Sequence, residues 1–406
     1  MDFDDSPAEA AFRAEVRTWL DENAEPRVEA DVRLSPMASF GDQAEAIAAA
    51  RVWQARLAEA RWTGVHWPAE HGGRGASLAE ALVLAEEIRR YDVPGGVFGI
   101  GIAMIGPTLI AHGTPEQQAR YLGPLLRGEE IWCQLWSEPD AGSDLANLRS
   151  RAVRDGDEFV LDGQKVWTSG AHYARFGLGI FRTDPDVPKH KGISCFVVDL
   201  AAPGVTIRPL RQINGEAHFN EVYFDSARIP AANLVGELHD GWRVARTTLM
   251  NERFAAGTMD SSGFAFAALA RLARAAERDA DPVVRQALAR LHSIGRVTDL
   301  TNARVRSAIA NDGIPGAEGS ILKLALADLG TAVADAGVAM LGPGGLLTGA
   351  GAPDAGRWSE AAMGAFAMHI GGGTDAIQRN IIGERVLGLP REPSTDRNVP
   401  FRTLPS

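Results

Sequence analysis

The run Phe159-Val160-Leu161-Asp162-Gly163-Gln164-Lys165-Val166-Trp167-Thr168-Ser169 has β-branched and aromatic residues on both sides of an Asp-Gly pair. Both residues of that pair tolerate positive φ, so the run predicts two strands joined by a hairpin turn at Asp162-Gly163. Gly192–Val198, Val205–Leu210 and Phe219–Phe224 are further strand candidates, separated by turn-rich segments. The flanking sequence has a helical period instead. Ser6-Pro7-Ala8-Glu9 combines an N-cap serine, a first-turn proline and a capping-box glutamate, and Phe12, Val16, Trp19 and Leu20 share one helical face. Thr114-Pro115-Glu116-Gln117 repeats the start signal, and Gly123-Pro124 breaks the pattern. From Gly241 the helical period returns and holds to about residue 388, interrupted at Asp281-Pro282, Asn311–Gly316, residues 342–351 and Gly371-Gly372-Gly373. Helices, then strands, then helices predict an α+β fold with segregated elements. The expected domains are an N-terminal helical one over 1–125, a central β-domain over 126–236 and a C-terminal helical one over 237–406.

Composition narrows the function. A chain of 406 residues, 45% hydrophobic and 23% charged, is ordinary globular material for two or three domains. A net charge of −11 argues against a nucleic-acid partner, because no broad cationic face is on offer to phosphates. Cys133 and Cys195 are too few for a disulfide framework and have no metal-ligand spacing, which suits a reducing cytoplasm. The acidic start Met1-Asp2-Phe3-Asp4-Asp5 does not read as a secretory signal. The apolar stretch from Gly95 to Ala111 holds several glycines and Pro107; it reads as a buried helix and turn, not a membrane span of ~20 residues. The nine histidines form no HExxH, and there is no GxGxxG, GxxxxGK[ST] or GxSxG, so no metal is expected.

Five segments remain that could carry chemistry. Gln134-Leu135-Trp136-Ser137-Glu138-Pro139-Asp140-Ala141-Gly142-Ser143-Asp144 reads as a loop of small hydroxyl and glycine residues. It suits a flat ligand carrying phosphate, or serves as a plain turn from helix to strand. Trp167-Thr168-Ser169 sets an aromatic plane beside two hydroxyls, as a stacking wall for a ring cofactor or as a core tryptophan. Glu252 has Thr248, Leu249, Ala255 and Ala256 as its helical neighbours and no cation among them. If that face is buried, desolvation raises the carboxyl into the range of a general base; if not, Glu252 is a solvated helix edge. Pattern alone does not choose. Gly342-Pro343-Gly344-Gly345 and Gly371-Gly372-Gly373-Thr374 are glycine-rich breaks, and a helix starting at Thr374-Asp375 would present free N–H groups to an anion.

Taken in order, these segments resemble the acyl-CoA dehydrogenase family over nearly the whole chain. The residues that carry the likeness are Ser137-Glu138-Pro139-Asp140-Ala141-Gly142-Ser143-Asp144, Gly163-Gln164-Lys165-Val166-Trp167-Thr168-Ser169-Gly170, Phe219-Asn220-Glu221-Val222-Tyr223-Phe224 before Arg228-Ile229-Pro230, and Gly373-Thr374-Asp375-Ala376-Ile377-Gln378-Arg379-Asn380. The resemblance implies a helical N-terminal domain, a central β-domain and a C-terminal four-helix bundle, with FAD bound between domains. It assigns Gln134, Leu135 and Ser137 to a flavin-contacting loop and Ser143 to the acyl-CoA. Trp167 and Ser169 fall at the flavin ring, Thr374 near the FAD phosphates, and Gly344 and Gly345 in an adenosine-diphosphate segment.

Many members place the α-proton base immediately before the Gly-Thr of the last block, and this chain has Gly372 there. A smaller set, similar to isovaleryl- and long-chain-type enzymes, carries the glutamate on an earlier helix before an arginine. Glu252-Arg253 matches that pattern, which implies Glu252 as base and Arg253 as a substrate-site residue. The Arg-x-x-Phe-Gly contact that family members offer a partner subunit has no counterpart in Arg278–Arg285, and Ala339 stands where a glutamine is common. The resemblance thus implies 2,3-dehydrogenation of an acyl-CoA from fatty-acid or sterol side-chain breakdown, with an electron-transfer flavoprotein as acceptor. The assembly expected is a homo-oligomer or a heteromer with a related subunit. The alternatives are a non-catalytic or half-site subunit of such a heteromer, and a flavin monooxygenase on the same fold.

Overall fold

The computed structural model describes residues 5–27, 43–94, 96–257, 262–312, 317 and 319–404. Helices α1 (Pro7–Asn23), α2 (Gln43–Glu59), α3 (Leu78–Ile88), α4 (Gly106–His112) and α5 (Pro115–Leu126) come first, with two short antiparallel strands, β1 (Glu25–Pro26) and β2 (Tyr91–Asp92). Then come β3 (Trp132–Leu135), β4 (Arg151–Asp155), β5 (Glu158–Ser169), β6 (Phe176–Arg182), β7 (Ile193–Asp199), β8 (Val205–Leu210), β9 (Phe219–Pro230) and β10 (Leu234–Val235). The chain continues with α6 (Gly241–Gly257), α7 (Ser262–Ala275), α8 (Pro282–Asp312), α9 (Gly319–Leu341), α10 (Arg357–Ala365), α11 (Ala367–Ile370) and α12 (Asp375–Ile381). The order of helices, strands and helices is the α+β order expected.

Local chemistry sets the helix starts. Ser6 and Thr114 form the capping boxes read from sequence, with Glu9 and Gln117 returning the bond, and Ser77 with Glu80 forms a third. Gly123-Pro124 does not break α5, contrary to expectation: the helix runs on to Leu126. Pro124 sits in the last turn, so one lost backbone bond costs little where the ladder is about to end. Of the break expected over Asn311–Gly316, residues 313–316 lie outside the described residues.

Two compact units form, and they regroup the chain: residues 1–41, 77–93 and 253–390 make one, and residues 42–76, 94–252 and 391–406 the other. In the first unit the Glu87 carboxylate on α3 is fully buried and accepts from Arg13 (2.9 Å) and Arg17 (3.0 Å) on α1. Burial alone would raise the Glu87 carboxyl, but the two guanidiniums hold it below the usual range. The core of this unit is Leu269 and Leu272 from α7, Leu291 from α8, Leu329, Val333 and Met340 from α9, and Trp358 from α10. Residues 319–346 are long and apolar enough to cross a membrane by length and composition; 33% of the apolar window is buried, and Leu322, Ala327, Leu329, Val333 and Met340 are among the buried residues of α9.

The second unit is built on an eight-stranded sheet in the order β10-β7-β6-β4-β5-β9-β8, with β3 lying parallel to β6. Trp67 from the loop after α2 and the helical residues Ile105 and Leu109 cluster with Trp132, Leu178, Ile180 and Val197. Cys133, Leu135, Phe181, Phe196 and Phe224 form a second cluster. Alternation along β3, β6 and β7 feeds both, the pattern of strands covered on two faces. The glycine-bearing run ending at Ala111 is a buried helical turn as expected: a Cβ on Gly106 would stand 2.1 Å from the ring of Trp67. The two cysteines are fully buried, and burial drives both thiols far above their ordinary range, which leaves them inert.

The expected hairpin is a misreading. Asp162-Gly163 is a bulge inside one continuous strand, β5, and the turn lies earlier, at Asp155–Glu158, where Gly156 takes φ 65°. Two observations explain the competition. Gly163 (φ 136°) could not carry a Cβ, which would meet the Ser150 side chain at 2.3 Å, and the Asp162 carboxylate accepts from the Ser226 amide at 3.0 Å across the sheet. The same dipeptide chemistry serves turn and bulge alike.

Helix α9 passes α10 closely enough that a Cβ on Gly337 would sit 1.9 Å from the buried Trp358 ring. Gly337→Ala is therefore expected to destabilise the helical unit by about 2 kcal/mol through overpacking, despite alanine's better helix propensity. Thermal or denaturant unfolding measures it; an unchanged or raised midpoint contradicts the packing described.

Candidate functional site

The loop after β3 is fixed by an ion pair with almost no access to water. Lys165, fully buried on β5, donates to Glu138 Oε1 (2.8 Å) and to the Trp136 carbonyl (3.1 Å). The Glu138 carboxylate also accepts from the amides of Arg149 (2.6 Å) and Ser150 (3.0 Å). Burial would raise this carboxyl, yet Lys165 and the two amides hold it below the usual range. Reciprocal main-chain bonds between Glu138 and Ala141 (3.1 Å each way) close the tight turn that follows. Ser143 and Asp144 are left exposed on the loop, with Ser137 half-buried at its start.

Gln134 and Leu135 are not loop residues as expected. Both lie on β3, paired with Leu178 and Gly179, and the Leu135 side chain is sealed into the core. Alternation leaves Gln134 half-buried, so it can reach a ligand through its side chain and Leu135 only through main-chain atoms.

Trp167 breaks the rule for aromatics in strands. Its backbone is left-handed (φ 58°), it stands in a bulge between Lys165↔Val222 and Thr168↔Asn220, and 60% of it is exposed. A non-glycine residue there costs about 1–2 kcal/mol, and such strain gathers at functional sites. The ring makes a T-shaped contact with Phe219 at 5.9 Å between centroids. Of the two sequence readings, the core tryptophan does not hold for a ring so exposed. Ser169 is half-buried at the end of the same strand, and the Thr168 hydroxyl is buried with no hydrogen-bond partner among the described residues.

Glu252 lies on α6, one turn beyond the fully buried Thr248, whose hydroxyl bonds that of Thr108 on α4 at 2.9 Å. Glu252 itself is half-buried, between the two environments the sequence left open. The side chain of Arg253 lies outside the described residues.

The remaining expected residues belong to the helical unit. Thr374 caps α12, its hydroxyl accepting from the Ile377 amide at 3.3 Å, so the predicted helix start is where it was read. Asp375 in the first turn bonds His369 (2.7 Å) and Lys323 (3.1 Å), which outweigh burial and hold its carboxyl below the usual range. The fold brings Asp328 near this pair, a grouping the sequence did not suggest. Both ring nitrogens of His369 are already engaged, by Asp375 and Thr331. Gly344 and Gly345 form a 3-10 turn over 342–346, where a Cβ on Gly345 would strike the Val338 carbonyl at 2.7 Å. Gly372 and Gly373 have φ 65° and 86°.

Sequence reasoning missed the roles of Glu138 and Lys165. A lysine between valine and glutamine gives no sign of full burial until the bulge at Asp162-Gly163 resets which face it occupies. Cavities of about 360 and 590 Å³ elsewhere in the sheet-containing unit are lined by none of the expected residues.

Comparison with known proteins agrees with the geometry. The sequence matches the acyl-CoA dehydrogenase N-terminal domain over residues 6–129, the middle domain over 133–227 and the C-terminal domain over 239–387. It is 41% identical over 387 residues to the acyl-CoA dehydrogenase IpdE1 of Mycobacterium tuberculosis, covering 94% of this chain and 98% of that one. The acyl-CoA dehydrogenase FadE34 of the same organism is 41% identical over 340 residues, 83% of this chain; the aligned part is only 46% of FadE34. Among solved structures, the Tcur3481-Tcur3483 steroid ACAD superposes with a TM-score of 0.81 at 31% identity, covering 97% of this chain and 100% of its own. The ChsE4-ChsE5 complex from M. tuberculosis gives 0.78 at 31% identity, with the same coverage.

Without Lys165, Glu138 would be a lone buried carboxylate. Lys165→Met is expected to cost about 3–5 kcal/mol, and Lys165→Met with Glu138→Leu to recover much of that loss. Urea unfolding of the two variants measures this, and equal stability of single and double variants would argue against the pair. Because the Glu138 carboxyl is depressed, its contribution persists above the ordinary carboxylate range and is lost as pH falls through its folded-state value. The wild-type acid limb should flatten in the double variant.

Proposed function

Because the chain belongs to the acyl-CoA dehydrogenase family, we propose that it is a FAD-dependent enzyme that converts an acyl-CoA thioester to its 2,3-enoyl-CoA. The observation that carries this reading is the strained, outward-facing Trp167 beside Ser169, an aromatic wall with a hydroxyl at its edge. Those two residues and Gln134, with main-chain atoms of Leu135 and Ser137, suit the ring end of FAD. In the helical unit, taken by itself, the Thr374 helix start and the Gly344-Gly345 turn are of the kind that suits the phosphate and adenosine part of such a cofactor. FAD, when bound, supplies the acceptor for hydride from the β carbon. The protein supplies the base: Glu252, half-buried on α6, takes the α proton onto its carboxylate. Ser143 contacts the thioester-bearing ligand, and Arg253 helps to hold the site.

The glycine at 372 supports this choice of base. A glutamate there would have to adopt the left-handed backbone that glycine holds at φ 65°, a conformation costly for any L-residue. A base on α6 avoids that conflict, and the Thr108–Thr248 bond anchors the turn before it.

The substrate suggested is a bulky, sterol-derived acyl-CoA, since solved neighbours at 31% identity include a steroid ACAD. An electron-transfer flavoprotein is the proposed acceptor. We also propose a multimer, with a related second subunit the favoured form, because the neighbours are two-component complexes. Exposed Leu346, Phe366, Ile370 and Leu387 give the helical unit apolar surface of the kind that partners cover. One further reading is a half-site subunit whose partner provides the base; Gly372 and the missing Arg-x-x-Phe-Gly segment favour it, and a working Glu252 would exclude it.

Glu252→Gln is expected to retain FAD and lose turnover by about 10²–10⁴-fold. Anaerobic bleaching of the flavin band by a panel of steroid acyl-CoAs is the measurement, and undiminished bleaching removes Glu252 from the mechanism. Trp167→Gly separates a ligand wall from a structural aromatic. Strain relief offsets the lost Phe219 contact, so folding stability should move by less than about 1 kcal/mol while FAD affinity falls about tenfold or more. A large stability loss with FAD affinity intact would mean that the ring is structural.

A further inference from the structure

The loop bearing Ser143 is held at both ends. Its leading end rests on the Glu138–Lys165 pair; its trailing end rests on two buried cations that no sequence pattern singled out. Lys189 donates to both carboxylate oxygens of Asp144, at 2.9 and 2.7 Å. Arg182 donates to the carbonyls of Ala146 (2.7 Å) and Lys189 (2.6 Å), with a longer bond to that of Leu148. Lys189 and Arg182 are each less than a tenth exposed.

Both cations have a second partner, and both of those partners come from residues 391–404 of the same compact unit. Asp396 accepts from Lys189 at 2.6 Å, so one buried ammonium sits between two carboxylates. The ring of Phe401 lies 3.8 Å from the Arg182 guanidinium, within cation–π range, with Arg149 5.5 Å from the ring. Among the hydrogen bonds found for Arg182, every acceptor is a carbonyl, so the ring face is a principal compensation for its buried charge. The segment is pinned in register by Phe401 N to the Val187 carbonyl, Arg402 N to the Pro185 carbonyl (2.9 Å each), and an Arg402–Asp186 ion pair. Most of residues 388–400 are exposed, yet Phe401 is buried. The segment is a strap with one sunk anchor.

We propose that this C-terminal strap is a clamp on the substrate loop, with Lys189 and Arg182 as positioning residues that pass the docking of Asp396 and Phe401 to Ser143–Leu148. The functional half of the proposal rests on the assignment of Ser143 to the CoA ligand made above. Without the strap, Lys189 loses one of its two carboxylates and Arg182 loses the ring. Both then become buried charges with incomplete compensation, and the loop they hold is the cheapest element to release.

Hydrogen exchange and coenzyme A titration of the full-length protein test the clamp and its consequence separately. The double variant Phe401→Leu with Asp396→Asn keeps an apolar side chain at 401 and the shape at 396 but removes the ring and the charge. Amides of 139–148 are expected to exchange about tenfold faster in it, while those of β5 over 158–166 stay at the wild-type rate, as local opening requires. Coenzyme A should bind about fivefold more weakly, and Phe401→Tyr alone, which keeps the ring, should match wild type in both readouts. Unchanged exchange in 139–148, or acceleration spread equally over β5, overturns the clamp. A loosened loop with unchanged coenzyme A affinity overturns its role in substrate positioning. Failure of the wild-type protein to bind coenzyme A would count against the Ser143 assignment instead, and exchange alone would still decide the clamp.

Discussion

A lysine and a glutamate taken out of water set the frame for everything near the proposed flavin wall. Lys165 and Glu138 stand 2.8 Å apart, the first fully buried and the second 7% exposed. Such a pair contributes little net stability, because desolvation consumes most of the attraction, but removing either member leaves an uncompensated charge. What it provides is placement. Lys165 is two residues from Trp167, and Glu138 is one residue from Ser137 and reaches across to the amides of Arg149 and Ser150. The exit of β3, the bulge of β5 and the start of β4 therefore cannot shift independently.

The same logic recurs at the far side of the loop, with different chemistry. The chain carries a net charge of −11, yet Lys165, Lys189 and Arg182, the cations that organise the sheet-containing unit, are all buried. Each is met by its own arrangement: one carboxylate and a carbonyl, two carboxylates, or carbonyls and an aromatic face. Burial pulls the Arg182 guanidinium down to about 10, the mark of a charge met by dipoles and a ring more than by an anion. Net charge is a statement about the surface; these three determine what lies beneath it.

Much of this was legible in the sequence, and the failures have physical reasons. Local signals held: the boxes at Ser6 and Thr114, the cap at Thr374 and the strand Val205–Leu210 all stand where side-chain chemistry and period put them. Signals that depend on a partner failed. Asp162-Gly163 could be turn or bulge, and the choice was made by Ser150, just before β4, and Ser226 on β9. Gln134 and Leu135 became strand because β6 lies parallel beside them, and nothing in a four-residue run announces a parallel neighbour. Trp167 was left between wall and core because one extra residue in the bulge decides which way the ring faces. Lys189 and Arg182 gave no signal at all, since one partner of each, Asp396 and Phe401, lies more than two hundred residues along the chain.

Backbone conformation also bears on where a catalytic base can stand. Three consecutive glycines, Gly371 to Gly373, end α11 and let the chain turn into the Thr374 cap with two left-handed residues in a row. That geometry gives α12 its start, but it is hostile to a side chain at 372, the alternative position that the family resemblance offered for the base. A base at that position and a double left-handed turn compete for the same backbone. On α6 no such competition arises: Glu252 follows a turn sealed by Val244, Ala245 and Thr248, and the helix bears no strain at that point. Placing the proposed base on a regular helix would separate two tasks that one glycine-rich corner would otherwise have to perform together. The corner keeps the cap, and the proposed base stands clear of it.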